Sequence, residues 1–238
     1  MNIIKKFGKK GVLAAVAASA MFCVAPQAEA AQMWRQSWYA TGAAMGIVNT
    51  DDGSPTIALS GLSTPLPGSI DYSGTFAGSV AVGHEGAFCR KKCGPQNARI
   101  EVEMVAGSSD RKRVDLDNLH LNLNDSVKYR AIFLNGMLGV YDTEKMRVWA
   151  GAGIGYGQVK VPYFNCNTPC DCLQAVTHED IAYRAKVQVE REISKTGAVF
   201  AEVGYMKFDA GKTSTALRQV DYGQLNLVDL ALGLRFYL

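Results

Sequence analysis

From position 98 to 106 the chain reads ARIEVEMVA, and every second residue is apolar. Ile100, Val102 and Met104 fall on one face of an extended segment, with Arg99, Glu101 and Glu103 on the other. IAYRAKVQVERE, 181–192, repeats the pattern: Tyr183, Ala185, Val187 and Val189 stand opposite Arg184, Lys186, Gln188 and Glu190. In VDLALGLRFYL, 228–238, a face of Val228, Leu230, Leu232, Leu234, Phe236 and Leu238 backs onto Asp229, Gly233 and Arg235. This period of two predicts an all-β chain. Eight strands are expected, at about 37–48, 70–83, 98–107, 127–141, 147–161, 180–193, 197–209 and 224–238.

The connections differ in length in a regular way. Segments 49–69, 108–126, 162–179 and 210–223 are long and polar, whereas DTEKM and SKTG are tight. Only 84–97 breaks the rule, being long where a short turn is expected. An even strand number with short turns at one end and long loops at the other fits an antiparallel up-and-down barrel. AGAGIGYG, 150–157, puts Gly151, Gly153, Gly155 and Gly157 on one face, leaving room in the neighbouring lumen for long Arg and Glu side chains. No helix follows these glycines, which argues against a nucleotide-binding loop.

Alternation alone does not say which face meets water. A soluble barrel would expose the charges, and a membrane barrel would enclose them. The polar face carries both signs: Arg99, Arg184, Lys186 and Arg235 against Glu101, Glu103, Glu190, Glu202 and Asp229. An eight-stranded lumen is narrow enough for side chains to fill. The nine are therefore expected to form a closed lumen charge network, with no open pore.

The first residues favour the membrane arrangement. Lys5, Lys6, Lys9 and Lys10 precede the apolar GVLAAVAASAMFCVA, and Ala28-Glu29-Ala30 offers the small residues a signal peptidase reads. A signal peptide over residues 1–30, cleaved, and a barrel domain over 31–238 are expected. Beyond Ala30 no stretch reaches the ~20 apolar residues of a membrane helix, but a spanning strand needs only about 9–11. The formal charge falls to zero once the leader is removed, since 25 − 4 = 21 basic residues face 22 − 1 = 21 acidic ones. No nucleic-acid partner is expected.

GTFAGSVAVGHE, ARIEVEMVAG, RVWAGAGIGYGQVKV, AVFAEVGYMKFDAG and the terminal VDLALGLRFYL together resemble the small outer-membrane β-barrel superfamily. That group includes the OmpA-type transmembrane domain, the opacity proteins and the surface antigens of intracellular bacteria. The resemblance implies an eight-stranded transmembrane barrel in a bacterial outer membrane, with four loops facing the exterior. It implies an assembly signal in Gly233, Phe236 and Leu238, read by the barrel-assembly machinery. Members usually end in Phe, where this chain has Leu238. The chain stops with the barrel, so the peptidoglycan-binding domain of larger relatives is not expected.

Five cysteines follow the leader: Cys89, Cys93, Cys166, Cys170 and Cys172. In an oxidising compartment they are disulfide candidates, paired locally as Cys89–Cys93 and Cys166–Cys170 or Cys166–Cys172. The odd thiol could join two copies as a disulfide-linked dimer. A thiolate metal site with His178 is the alternative, although the spacing lacks the paired C-x₂-C of structural zinc. Some small barrels are enzymes acting on lipid A. Here His84, His120 and His178 assemble no recognisable nucleophile and base, so neither catalysis nor a cofactor is expected. SSDRKR, 108–113, reads as a basic loop, and Lys128, Arg130 and Lys207 fall near the outer rim, within reach of lipopolysaccharide phosphates. The expected role is structural or one of surface interaction, adhesin- or antigen-like, with outer-membrane lipid, lipopolysaccharide and a host or cell-surface ligand as partners. A lipid A enzyme or a narrow porin-like channel is the alternative.

Overall fold

The computed structural model of the protein describes residues 37–49, 56–59, 66–87, 97–116, 119–143, 146–162, 164–165, 171–173, 175–214 and 218–238. The expected leader, Cys89, Cys93, Cys166 and Cys170 lie outside these, and Cys172 is described only as strand backbone.

Eight long strands close a ring. They are β1 (Ser37–Asn49), β2 (Thr75–Ala87), β3 (Asn97–Leu116), β4 (Leu119–Asp142), β5 (Met146–Val161), β6 (Val176–Ser194), β7 (Gly197–Asp209) and β8 (Gln224–Tyr237). Each pairs antiparallel with its neighbours in the chain, and β8 closes on β1 from Tyr39↔Tyr237 to Asn49↔Leu227. The result is an eight-stranded, antiparallel, up-and-down β-barrel of the transmembrane kind. Closure leaves no unpaired edge along the wall, the only way a sheet satisfies its backbone in hydrocarbon.

The wall is inside out. Side chains such as Val80, Ile100, Ile132, Ile154, Leu232 and Phe236 point outward and are exposed, while Arg99, Glu190, Asp229 and Arg235 are fully buried within. An apolar belt of that extent around a monomer marks a lipid-facing surface. Among the described residues no helix is long and apolar enough to cross a membrane.

The tight turns hold one end. Thr143 N donates to Met146 O at 2.9 Å, and residues 195–196 turn β6 into β7. The other end departs from the expected long loops. The described residues of 108–126 are strand: β3 runs on through 108–116 and pairs with 119–126 of β4, so SSDRKR is strand. The second strand, expected over 70–83, is two pieces, Leu66–Ser73 and Thr75–Ala87, and runs far enough to shorten the odd connection to 88–96. Segments 49–69 and 210–223 contribute further short strands, Thr56–Leu59, Lys212–Ser214 and Arg218–Asp221. In 162–179, Phe164–Asn165 pairs with Asp171–Leu173, and β6 already begins at Val176. Ile70, Ser109 and Arg111 are buried on the inner face of these segments while Asp71, Asp110 and Lys112 are exposed, and their polar composition hid the strands.

Gly151, Gly153, Gly155 and Gly157 line the lumen side of β5, but the room they leave is not filled by Arg and Glu as expected. Met137, Asn135, Phe133 and Phe208 occupy it. At Gly155 an added Cβ would lie 2.1 Å from Ile132 O, a backbone atom that cannot swing aside. Gly155→Val should therefore cost about 1–3 kcal/mol, the usual range for overpacking. Urea titration in micelles checks it, and an unchanged midpoint would count against this packing.

Candidate functional site

The lumen has two storeys. Near the turn end, inward positions of six strands carry charge. Arg99 bridges Glu85 at 2.8 Å and Glu190 at 2.9 Å, and its guanidinium stacks 3.6 Å above the Trp149 ring. Glu190 also takes Arg235 and accepts from Tyr237 Oη at 2.5 Å. Deeper in, Lys186 sits among Glu101, Glu103 at 3.0 Å and Glu202 at 3.5 Å. Arg184 contacts Glu202 at 2.7 Å, and Glu103 and Asp229 at 3.4 Å each. Gln188 links the layers, accepting from Arg235 at 2.9 Å and donating to Glu202 at 3.1 Å.

All nine residues expected in a lumen charge network are inside and buried. The structure joins to them several residues that sequence reasoning passed over. Glu85 had been placed in a connection, yet its parity continues that of Ala81 and Gly83, and β2 carries it inward. Arg147 then ties Glu85 at 2.9 Å to Glu192 at 2.6 Å at the turn-end rim. Asn135 donates to Glu101 at 3.1 Å and Glu103 at 2.8 Å, and Tyr39 Oη donates to Glu101 at 2.9 Å. Buried carboxylates and guanidiniums persist only when so paired.

The storey near the long connections is apolar. Met45, Ile47, Val105, Val127, Tyr129 and Phe133 pack there with Val159, Met206, Phe208 and Leu227. Tyr129 and Phe133 each meet Phe208, with ring centroids 5.5 and 6.4 Å apart. Sequence reasoning had expected a charge network of nine residues in the lumen and named no apolar storey beside it. The signal was present in VKYRAIF: Lys128 and Arg130 point out while Val127 and Tyr129 point in, and from Ile132 onward the polarity reverses. β5 inverts likewise, with Gln158 and Lys160 outward and Val159 and Val161 inward. A wall standing in water should hide its apolar face, and one standing in lipid should show it. The inversion therefore marks the height at which the barrel leaves the hydrocarbon.

Above that height three of the four long connections join into one sheet, while Phe164–Asn165 and Asp171–Leu173 of the fourth pair only with each other. Lys212–Ser214, Arg218–Asp221, Thr56–Leu59, Leu66–Ser73 and the far parts of β3 and β4 pair in that order. Arg111, buried beneath, forks onto Asp125 at 2.6 and 2.5 Å and reaches Pro162 O at 3.3 Å. Lys212 pairs with Asp221 at 2.7 Å, which holds the Asp221 carboxyl below the usual carboxylate range despite its partial burial.

His178 is not described with the cysteines, whose side chains lie outside the described residues. Its Nε2 stands 3.8 Å from both Asp180 Oδ2 and Asp209 Oδ1, at the mouth. One ligand atom from each of the three lies within 4.8 Å of the others, all partly exposed. Of the other histidines, His84 points outward at the turn-end rim, its ring edge-on to Trp38 at 5.1 Å, and His120 is described only as β4 backbone. Phe236 and Leu238 face outward, and Gly233 faces inward, where an added Cβ would meet the Phe200 ring at 2.3 Å. Leu238 N donates to Trp38 O at 2.9 Å, extending the seam to the last residue.

No protein-family model matches the chain, and no curated protein matches it in sequence. Solved structures do. The outer membrane protein OprG from Pseudomonas aeruginosa is 14% identical, covers 86% of this chain and 98% of its own, and superposes with a TM-score of 0.55. Neisserial surface protein A (12% identity, 84% and 97% covered, TM-score 0.44) and the outer membrane protein AlkL (12%, 90% and 95%, 0.43) also match. At 14% identity the likeness to OprG is one of fold alone, a closed antiparallel β-barrel.

Proposed function

We propose that a chain with this fold works as a sealed barrel of the bacterial outer membrane, presenting its joined connections as a recognition platform on the cell exterior. The lumen carries this reading. An apolar plug of aromatic and aliphatic side chains stacks on a charge network, and the side chains of both storeys are buried. An eight-stranded wall encloses about the volume that such side chains fill. The surface role then falls to the platform, where exposed segments of a rigid scaffold supply binding. Three of its four connections are tied into one sheet, so a partner would meet a shaped surface rather than four separate loops.

Two measurements test this. In planar bilayers the purified protein should give no steady conductance; reproducible channel events would overturn the sealed reading. On intact cells, added protease should cut only within 49–69, 108–126, 162–179 and 210–223. Cleavage at 143–145 or 195–196 would invert the proposed topology. A chain lacking Thr56–Leu59 and Arg218–Asp221 should keep the barrel and lose cell-surface binding; unchanged binding would make the role purely structural.

A further inference from the structure

Where the polarity of the wall inverts, the outward face of β3 to β6 carries an ordered set of polar groups. Register aligns Ser108, Lys128, Lys160 and Thr177 in one row across the four strands. The next row toward the belt is Ala106, Arg130, Gln158 and Glu179, and the one after it is Met104, Ile132, Tyr156 and Ile181. Lys128 and Lys160 are thus directly opposed, both outward and both exposed. Like charges facing each other across an antiparallel pair oppose folding unless an anion sits between them.

The nearby carboxylates do not supply that anion. Glu179 lies one row below and is engaged by Tyr156 Oη at 2.9 Å and by Gln158 Nε2, with Arg130 also acting on it. Asp110 is one pair farther from the belt, opposite Ser126. Among the described residues no ion pair joins Lys128, Arg130 or Lys160 to either.

We infer that Lys128, Lys160 and Arg130 bind a phosphate of a membrane glycolipid headgroup, with Ser108 and Thr177 offering hydroxyls at the two ends of the row. The occupant follows from position and charge together. Arg130 stands two residues above Ile132, and the lysine row four residues above Ile132 and Tyr156, which belong to the lipid-facing belt, so a ligand there has acyl chains below and its headgroup at the lysines. A phosphate monoester matches two opposed ammoniums in charge, and its oxygens accept from ammonium, guanidinium and hydroxyl alike. Lys207, expected to act with Lys128 and Arg130, is separated from them: it faces outward on β7 between Tyr183 and Asn226. This inference rests on the barrel standing in an outer membrane but not on any partner of the platform.

The test compares bisphosphorylated lipid A, fully dephosphorylated lipid A and inorganic phosphate, each added to the detergent-solubilised protein and followed by native mass spectrometry and thermal melting. The wild-type chain should bind the bisphosphorylated form and melt higher with it, and respond to neither of the others. The K128Q/R130Q/K160Q chain should lose at least tenfold in affinity while keeping its barrel, shown by heat-modifiable migration, and Lys207→Gln should change nothing. Equal binding of dephosphorylated lipid A, an equal response to inorganic phosphate, or full affinity in the triple variant would each overturn the proposal. Failure of the wild-type chain to insert into bilayers at all would instead remove the membrane reading beneath it.

Discussion

Glu190→Leu should destabilise the barrel by about 3–5 kcal/mol, the cost of leaving buried charge without its partner. Glu190 is fully buried and serves Arg99, Arg235 and Tyr237 together. Arg99 would keep Glu85, 2.8 Å away. Arg235 would keep the Gln188 amide oxygen, the faces of Tyr39 and Phe200, with centroids 4.5 and 5.5 Å from its guanidinium, and the more distant charge of Glu101. The loss should therefore be largely relieved by a second change, Arg235→Leu, because replacing both members of a buried pair by apolar groups is often close to neutral. Glu190→Gln, which keeps the shape and one acceptor, should fall between. Urea midpoints in micelles, read by heat-modifiable electrophoresis, order the three variants. A double variant as unstable as Glu190→Leu would mean that Arg235 is not the stranded charge.

Leu232→Arg should cost about 2–4 kcal/mol in a bilayer, as expected for a cation at mid-depth on the lipid face of a barrel. Leu232 is 71% exposed and stands midway along the outward face of β8, beside Ala44 and Ala201. In a water-soluble barrel the same change at an exposed leucine would be nearly silent. Gln158→Arg, made beyond the polarity inversion, should cost no more than about 1 kcal/mol, as positions near the interface do. Unfolding titrations in lipid vesicles compare the two, and equal effects would move the hydrocarbon boundary away from where the side chains place it.

Much of the wall was legible because a strand's parity is local information. β7 has the bounds expected, 197–209, and the nine charges that alternation put on one face do share the lumen. What escaped had non-local causes. Nothing within Thr56–Leu59 announces that it will pair with Arg218–Asp221, some 160 positions along the chain. Glu85 escaped because the second strand was expected to end at residue 83, two positions short of it. The apolar storey escaped for a different reason: alternation keeps its period when its polarity inverts, so a rule that asks only for period two passes through the boundary without noticing it. VKYRAIF shows that the sign of the alternation, followed residue by residue, carries the missing information.

The inversion also fixes how the protein meets membranes of unequal thickness. Its charged rows lie directly against the belt, on strands hydrogen-bonded into a closed ring, so no side chain can move down without its whole strand. A helix bundle in too thick a bilayer can tilt or kink; a short ring with charges set around part of its rim has little of that freedom. The lipid must do the adjusting, thinning around the β4–β5 side. Such a dimple, felt by any second barrel nearby, would draw matching walls together without a single protein–protein contact.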